Sequence, residues 1–323
     1  MKIKTAFASC VAGFCLAFCY GSGALAQSYP TGPVRVLVAS SAGGSLDILT
    51  RVISQGLSEA TGQTFVVEPK PGAGGNLAIE TLLKAPPTGY TILSSGVGVA
   101  SNLSLYRTVP YALDDLVAIS LVGEAPLLIM ANPSVPADSI SEFIKLAKAK
   151  PGSIRAAILS GGSSQFASDM FRMMAQIDMQ NVPYKAGGLA FQDVIGGQVE
   201  AVVLPIAESL PHVRSKRVKA LAQTGSARSS LAPDVPTLEE AGLKGSVLTA
   251  WYMVTGSAKM PRDIVTRLNQ EITRVLRQPQ TQEKFKADGI DIIGSTTEQA
   301  ASFLRSEQDK FAKLVRWSGA KVE

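Results

Sequence analysis

The sequence predicts an α/β protein made of two units, each a sheet flanked by helices. Three observations lead to this prediction. Short apolar runs alternate with helical patterns early in the chain, the alternation begins again after residue 139, and 323 residues exceed one typical core. Charged residues make up 18% of the chain, against roughly a quarter in average soluble proteins. This low share suits buried sheets packed against small-residue helices.

The N-terminus predicts export to the periplasm by a cleavable signal peptide, residues 1–26. Two lysines precede an apolar run over residues 6–20, and Ala24-Leu25-Ala26 supplies the small-x-small pattern of a cleavage site. The run is too short to span a bilayer, and no second one follows. Removing 26 of the 323 residues leaves a mature chain of 297.

The cysteines and charges exclude several classes of function. Cys10, Cys15 and Cys19 all lie in the signal peptide, so the mature chain has no disulfide, thiol nucleophile or cysteine metal site. None has the preceding sequence and position of a lipid-anchored cysteine. Loss of the two lysines lowers the net charge from +5 to +3. The one basic cluster, residues 214–219, has no interleaved aromatic residues and predicts a solvated segment, not a nucleic-acid surface.

The first unit has a β-α-β-α-β rhythm. Strands are predicted over residues 34–39, 64–68 and 90–94, and helices over residues 46–60 and 77–84. The short connections favour a parallel, doubly wound sheet.

The second unit repeats this rhythm after a helix that ends at Pro151-Gly152, a helix stop signal. Its helices are predicted over residues 139–150, 163–176 and 187–195, and its strands over residues 154–159, 199–204 and 218–222.

Three further helices are predicted at the C-terminus, over residues 262–276, 279–287 and 297–317. If they return to the first unit, the second unit is an insertion, two segments cross between the lobes, and a hinged cleft forms. Periodicity does not fix that return. With crossings near residues 127–131 and 247–254, lobe 1 comprises residues 27–126 and 250–323, and lobe 2 comprises residues 127–249.

Glycine-rich turns follow the first two predicted strands, and each opens a helix. The first glycine turn contains Ser40, Ser41, Ala42, Gly43, Gly44 and Asp47, and the second contains Gly72, Ala73, Gly74 and Gly75. Backbone N–H groups at a helix start favour an anion, so two such turns together would hold a carboxylate. They lack nucleotide-binding spacings and are equally compatible with tight connections that bind nothing. Asp47 either complements its helix start or reads a polar group of the ligand.

The second unit offers its own candidates. A third glycine turn, residues 160–165, ends in Ser163, Ser164 and Gln165, where a serine either caps the helix or faces the cleft. Residues 182–188 are predicted to form an irregular loop. It carries Tyr184, Lys185 and Gly187, and Tyr184 is either at the rim of the cleft or ordinary packing.

The sequence contains no recognisable catalytic group. His212 is the only histidine, with no carboxylate at metal-binding spacing, and no serine lies in a nucleophile elbow. Paired carboxylates could still converge from distant positions, so an exported enzyme stays as the less favoured alternative. We expect a monomer that catalyses no reaction and uses no cofactor and no metal.

Six ordered motifs carry a resemblance to a known family. They are V-x-x-x-A-G-G-x-x-D from Val38, P-G-A-G-G-N from Pro71, P-P-T-G-Y-T-I-L from Pro86, V-P-Y-K-x-G from Val182, G-G-Q-V from Gly196 and P-D-V-P-T-x-E-E-A-G-L from Pro233. In this order and spacing the chain resembles the Bug-type receptors of tripartite tricarboxylate transporters along its whole mature length.

The resemblance implies a periplasmic-binding-protein type II ("Venus flytrap") fold. It also implies that the first two glycine turns hold a ligand carboxylate through the backbone. The far end of the ligand would be read by Ser163, Ser164, Gln165 and residues 184–187. The implied partners are the membrane subunits of such a transporter; a membrane sensor kinase is the alternative that the sequence leaves open.

Two departures from the family pattern concern the cleft. Ser40-Ser41 replaces larger residues before the first glycines, and Leu204-Pro205 replaces an Asp-Asn pair. Leu204 is therefore a candidate contact, and Glu208 is a possible substitute for the lost pair. We hypothesise a more apolar far end that suits an aromatic or bulky carboxylate, with a dicarboxylate as the other candidate.

Overall fold

A computed structural model describes residues 29–322, so the predicted signal peptide lies outside the described residues. The strands are β1 Val34–Val38, β2 Phe65–Pro69, β3 Thr91–Ser95, β4 Leu116–Ala131, β5 Ile154–Leu159, β6 Met179–Tyr184, β7 Ala201–Pro205, β8 Lys219–Gln223, β9 Thr249–Ser257 and β10 Asp291–Ile292. The helices are α1 Ser45–Thr61, α2 Asn76–Lys84, α3 Gly98–Leu105, α4 Ile140–Ala149, α5 Ser163–Ala175, α6 Gly187–Ile195, α7 Ile206–Arg214, α8 Arg262–Leu276, α9 Pro279–Ala287 and α10 Thr297–Ser318.

Strands β1, β2 and β3 form the predicted parallel arrangement, with β1 in the middle. Within β1 only Arg35 is exposed, and it pairs with Glu68 on β2, while the apolar residues enter the core. Helix α1 ends at Gly62, whose positive φ of 69° allows the chain to leave the helix in a left-handed turn.

The second unit is also parallel, since β5 pairs with β6 on one side and with β7 on the other. Helix α4 begins where the hydroxyl of Ser139 accepts a hydrogen bond from the backbone N–H of Glu142, at 3.2 Å. Helices α6 and α7 cover one face of this sheet, and α5 covers the other.

The two sheets share β4, which is 16 residues long. Its first part pairs with β9 as far as Pro126, and from Leu127 onward it pairs with β7 and β8 instead. The C-terminal helices pack on the first unit, α8 against α1 and α10 against α3. The lobe boundaries at residues 126/127 and 249/250 stay predictions, which this exchange of partners supports.

Strand directions determine which edges of the two sheets face each other. Strand β9 is antiparallel to both β3 and β4, so β4 runs in the direction of β3 and enters the second sheet beyond the C-terminal ends of β1, β2 and β3. Strands β5, β6 and β7 run opposite to β4 and therefore point back toward the first sheet. The C-terminal edges of both sheets thus face the same space, which we call the cleft.

The structure corrects the prediction of an irregular loop at residues 182–188. Residues up to Tyr184 belong to β6, and α6 begins at Gly187. Pro183 lacks an N–H donor, but β6 is an edge strand paired only with β5, so one of its sides needs no donor. Helices α3 and α7, strand β10 and the first part of β4 were not predicted.

One core cluster connects the two units. It contains Phe166 on α5 and Phe311 on α10, whose ring centroids lie 4.7 Å apart. None of the helices within residues 29–322 has the length and apolar run needed to cross a membrane.

Candidate functional site

Six helices begin at the cleft, each shortly after the C-terminal end of a strand: α1, α2, α3, α5, α6 and α7. No side chain caps the start of any of them, and the first N–H groups of a helix have no partner within it. By contrast, Ser139 and Thr296 cap α4 and α10. A missing cap does not by itself mark the cleft, because α8 and α9 lack one too. What distinguishes the cleft is the convergence of free donors from both sheets.

The first glycine turn is braced by its own aspartate. Gly43 has a φ of +81°, and its N–H donates to Asp47 Oδ2 at 2.9 Å. Arg51 donates to the same oxygen at 3.0 Å. Burial pushes the pKa of Asp47 upward, but these hydrogen bonds outweigh that effect and hold its pKa below the usual value. Asp47 is 2% exposed, so it positions the turn and presents little surface to a ligand.

The third glycine turn repeats this arrangement in the second sheet. Gly161 has a φ of +73°, and its N–H donates to Gln165 Oε1 at 2.8 Å. Both turns have the sequence Gly-Gly-Ser and lead into a helix, as residues 43–45 and 161–163. In each turn, the N–H of the first glycine is held by the side chain four positions later. The two sheets therefore present matched turns to the cleft.

The second glycine turn is held by α3. Asn102 on that helix donates to the carbonyl oxygen of Gly74 at 3.0 Å and to Asn76 Oδ1 at 2.8 Å. Ala73 adopts a left-handed φ of +46°, which is costly for a residue with a Cβ. Sequence reasoning missed Asn102 because α3 was not predicted; its glycine-rich start concealed the helical pattern.

Many predicted residues lie at the surface of the cleft. Exposed or partly exposed there are Ser40, Ser41, Ala42, Gly43, Gly44, Gly72, Ala73, Gly74, Ser163, Gln165, Lys185 and Gly187. The third glycine turn approaches the first unit, because a Cβ on Gly161 would lie 3.9 Å from Leu105 Cδ2 at the end of α3. Gly75 is buried against Ala39, which a Cβ at position 75 would approach to 3.1 Å.

Three predicted contacts are engaged elsewhere. The Ser164 hydroxyl accepts from Leu159 N at 3.0 Å and donates to the carbonyl oxygen of Val203, so it joins strands β5 and β7. The Tyr184 hydroxyl donates to Asp193 Oδ2 on α6 at 2.5 Å. Leu204 is 0% exposed and packs in the core of the second unit. The residue that replaces the family's aspartate therefore adds no apolar surface to the cleft, and the hypothesis of a more apolar far end loses this support.

Glu208 reaches the cleft instead. It lies in the first turn of α7, and its Oε2 is 2.5 Å from where a Cβ on Gly187 would be. Burial raises the pKa of Tyr252 on β9, and the charge of Glu208 adds to this rise. The sequence signal for Glu208 was present, but its orientation depends on α7, which was not predicted.

The single histidine packs against an aromatic ring. His212 stacks on Phe191 with ring centroids 4.0 Å apart, and burial lowers its pKa. Within residues 29–322 no three histidine or acidic side chains are arranged to hold a metal ion. Arg214 ends α7 and Lys219 begins β8, so the basic cluster lies between a helix and a strand.

Comparison with known proteins identifies consistent relatives. Residues 49–319 match the family described as "Tripartite tricarboxylate transporter family receptor". Protein BugT of Bordetella pertussis is 34% identical over 302 residues, which cover 92% of this chain and 93% of BugT.

Solved structures of similar chains agree over nearly the whole fold. R. palustris Rpa4515 with adipate has a TM-score of 0.80 and 27% identity, covering 91% of this chain and all of that one. MatC from Rhodopseudomonas palustris with bound malate has a TM-score of 0.76 and 27% identity, covering 89% of this chain and all of that one. This agreement confirms the predicted fold class.

Proposed function

Because the chain belongs to the family of tripartite tricarboxylate transporter receptors, and is thus a periplasmic-type solute-binding receptor and not an enzyme, we propose that it captures a small carboxylate in the cleft. Two similar chains were solved with adipate and with malate, both small carboxylates.

The observation that carries this proposal is the convergence of uncapped helix starts from both sheets on one cleft. Helix N-termini favour negative charge through free N–H groups and the helix dipole. A carboxylate that contacts the turns of both sheets is bound best when the lobes close around it. The ligand contacts in this proposal are the predicted residues that face the cleft, with Asp47 and Gln165 as braces.

The captured carboxylate is delivered to a membrane transporter in this proposal. The receptor is exported through its signal peptide, acts as a monomer, and hands the carboxylate to the membrane subunits of a tripartite transporter. A pull-down from membranes with the ligand present tests this part: recovery of transporter subunits supports it, and recovery of a sensor kinase contradicts it.

A thermal-shift screen over mono-, di- and tricarboxylates and amino acids tests ligand capture. A ligand at a hundred times its Kd stabilises the folded state by about 2.7 kcal/mol, a clear rise in Tm. We expect at least one carboxylate to produce this rise and to be recovered chemically unchanged. If none does, the proposed function is wrong.

A matched pair of variants locates the binding. Gly43 and Gly62 lie at opposite ends of α1, both have positive φ, and a Cβ at either would have no atom within 4 Å. Valine is strained in both positions, so both variants should lower the unliganded Tm. Only Gly43→Val should lose the ligand-induced rise; equal rises in both variants would remove the first glycine turn from the site.

A further inference from the structure

Glu208 is the one acidic side chain in the first turns of the six cleft helices that has no protein partner among the described residues. Only α1 and α7 carry an acid there. Asp47 on α1 accepts hydrogen bonds from Gly43 and Arg51. Within residues 29–322 no hydrogen bond or ion pair involves Glu208, and it does not cap its own helix.

Gly187 makes room for the Glu208 carboxylate. A Cβ at position 187 would lie 2.5 Å from Glu208 Oε2 and 3.6 Å from Leu204 Cδ1. The carboxylate therefore leans from α7 over the first residue of α6, where the helix start lines the cleft.

Glu208 is also close to the first unit. The start of α7 adjoins the first unit, because a Cβ on Gly289 would lie 2.6 Å from Ile206 Cγ2. Burial raises the pKa of Tyr252 on β9 to about 12, and the charge of Glu208 adds to this rise. The Glu208 carboxylate thus lies beside the start of α6, in a turn of α7 that adjoins the first unit.

Exposure to water favours the ionised form of the Glu208 carboxylate. The surrounding protein raises the pKa of Glu208 above its usual 4.5, but the side chain itself is exposed to water in the cleft. Shifts large enough to reach neutral pH, about three units, occur for fully buried carboxyl groups, which Glu208 is not.

We propose that Glu208 makes this receptor select carboxylates whose far end carries a positive charge or a hydrogen-bond donor, and reject dicarboxylates. The inference rests on the proposed function, since it concerns the far end of the ligand in the same cleft. With one ligand carboxylate at the glycine turns, a second one near Glu208 meets a like charge, whereas an ammonium or amide group finds an unused acceptor.

Two series of probes that differ only at the far end test this selection. The flexible series is 6-aminohexanoate, adipamate, hexanoate and adipate; the rigid series is 4-(aminomethyl)benzoate, 4-carbamoylbenzoate, 4-methylbenzoate and terephthalate. In calorimetry, the wild-type protein should bind the amino or amide compound of at least one series about tenfold or more tightly than the dicarboxylate. The reason is that the interaction energy of two charges a few ångströms apart near a protein surface corresponds to at least a tenfold change in affinity.

Glu208→Gln should reverse or abolish this preference by weakening the amino compound and strengthening the dicarboxylate. Gly187→Ala should act in the same direction without changing the charge, because the methyl group displaces the carboxylate tip. Glu283→Gln is the matched control, since it removes one exposed acid from α9, a helix that does not begin at the cleft, and should leave the order unchanged.

The outcomes separate the two proposals. If a dicarboxylate binds the wild-type protein as tightly as its amino and amide counterparts in both series, or if Glu208→Gln leaves the order unchanged, the selection is wrong while carboxylate capture stands. If the ligand found in the wider screen carries a second carboxylate at its far end, the selection is also wrong. If no carboxylate binds either the wild type or Glu208→Gln, capture itself is wrong.

Discussion

Asp47 and Gln165 stabilise corresponding glycine turns on opposite sides of the cleft. Each accepts a hydrogen bond from the first glycine of its turn, four residues earlier. Both were candidates for direct ligand contact, and their geometry assigns them a positioning role. Of the two, only Asp47 carries a charge, and Arg51 is its partner.

Asp47→Ala leaves the Gly43 N–H without its acceptor and is expected to lower the free energy of unfolding by about 1–3 kcal/mol. Asp47→Asn keeps an acceptor oxygen and should lose less. Arg51→Ala is the control, because Arg51 is half exposed and such pairs contribute little. Urea unfolding of the three variants measures the order, and a larger loss in Arg51→Ala than in Asp47→Ala would contradict the bracing role.

The charge of Asp47 should also make stability depend on pH. Asp47 has a folded-state pKa below its unfolded value of 3.8, so its contribution is fully present above that value and is lost as pH falls through the folded pKa. The difference in unfolding free energy between wild type and Asp47→Asn should therefore shrink between pH 5 and pH 3. A constant difference across that range would exclude the charge as its source.

Ala73 stores strain in the second glycine turn. A left-handed residue with a Cβ costs about 1–2 kcal/mol, and glycine relieves that cost while adding unfolded-state entropy worth about 0.5–1 kcal/mol. Ala73→Gly should consequently raise the unfolding free energy by a few tenths to about 1 kcal/mol, measured by thermal melts. Alanine substituted at the neighbouring Gly72, which also has a positive φ of 131°, should lower it.

At the scale of elements, helix α10 ties the two units together. Phe311 packs against Phe166 with the rings tilted by 52°, and Arg172 of α5 lies 5.4 Å from the centroid of the Trp317 ring. Trp251 of β9 donates to the buried Glu307 at 2.8 Å. Phe166 lies three residues after Ser163, so this packing supports the start of α5 at the cleft.

Phe311→Ala should lower the unfolding free energy by about 3–5 kcal/mol, the usual range for a fully buried phenylalanine. It should also weaken ligand binding, because the start of α5 loses its support. Phe285→Ala removes an equally buried ring that packs only within the first unit, and should reduce stability without weakening binding. Equal effects of both variants on Kd would refute the link.

Regular apolar periodicity made most elements predictable. The predicted strand at residues 154–159 and the helices at residues 187–195, 262–276 and 279–287 have the observed bounds. Helix α3 was missed because Gly96 and Gly98 break its pattern, and α7 because it contains Pro211. For β4, sequence reasoning found only the part near residues 127–131; its earlier residues pair with β9, a distant partner that periodicity cannot reveal.

In the site, too, local features could be predicted from the sequence and non-local ones could not. Glycine turns after strands are a local signal, so the candidate backbone donors could be found from sequence. The partners of side chains are not local: Ser164 bonds to Val203, Tyr184 to Asp193, and Leu204 enters the core. Each of these contacts depends on tertiary packing, which residue type does not reveal. Residue type alone therefore suggested a ligand contact at these three positions.

At the scale of the whole molecule, β4 and the segment entering β9 join the lobes. The paired register of β4 and β9 shifts at two places, between Ala118 and Ser120 and between Leu121 and Gly123. Such bulges increase local twist. The covalent links between the lobes are thus strands, and β4 carries two bulges before it enters the second sheet.

Small-angle scattering should record a smaller radius of gyration when a carboxylate found in the screen is added. Contacts from both sheets to one ligand require the lobes to approach each other. Gly43→Val serves as the control, since it should bind no ligand and stay at the unliganded radius. An unchanged radius in the liganded wild type would argue against closure.

Recognition through the main chain has an evolutionary consequence. Every non-proline residue supplies the same N–H group, so the donors at the uncapped helix starts persist through most substitutions that leave the turns intact. Mutations can therefore exchange the side chains around the far end of the ligand without removing the affinity for its carboxylate. A lineage built on this fold can therefore acquire new ligands by small steps, through replacements that leave the backbone donors in place.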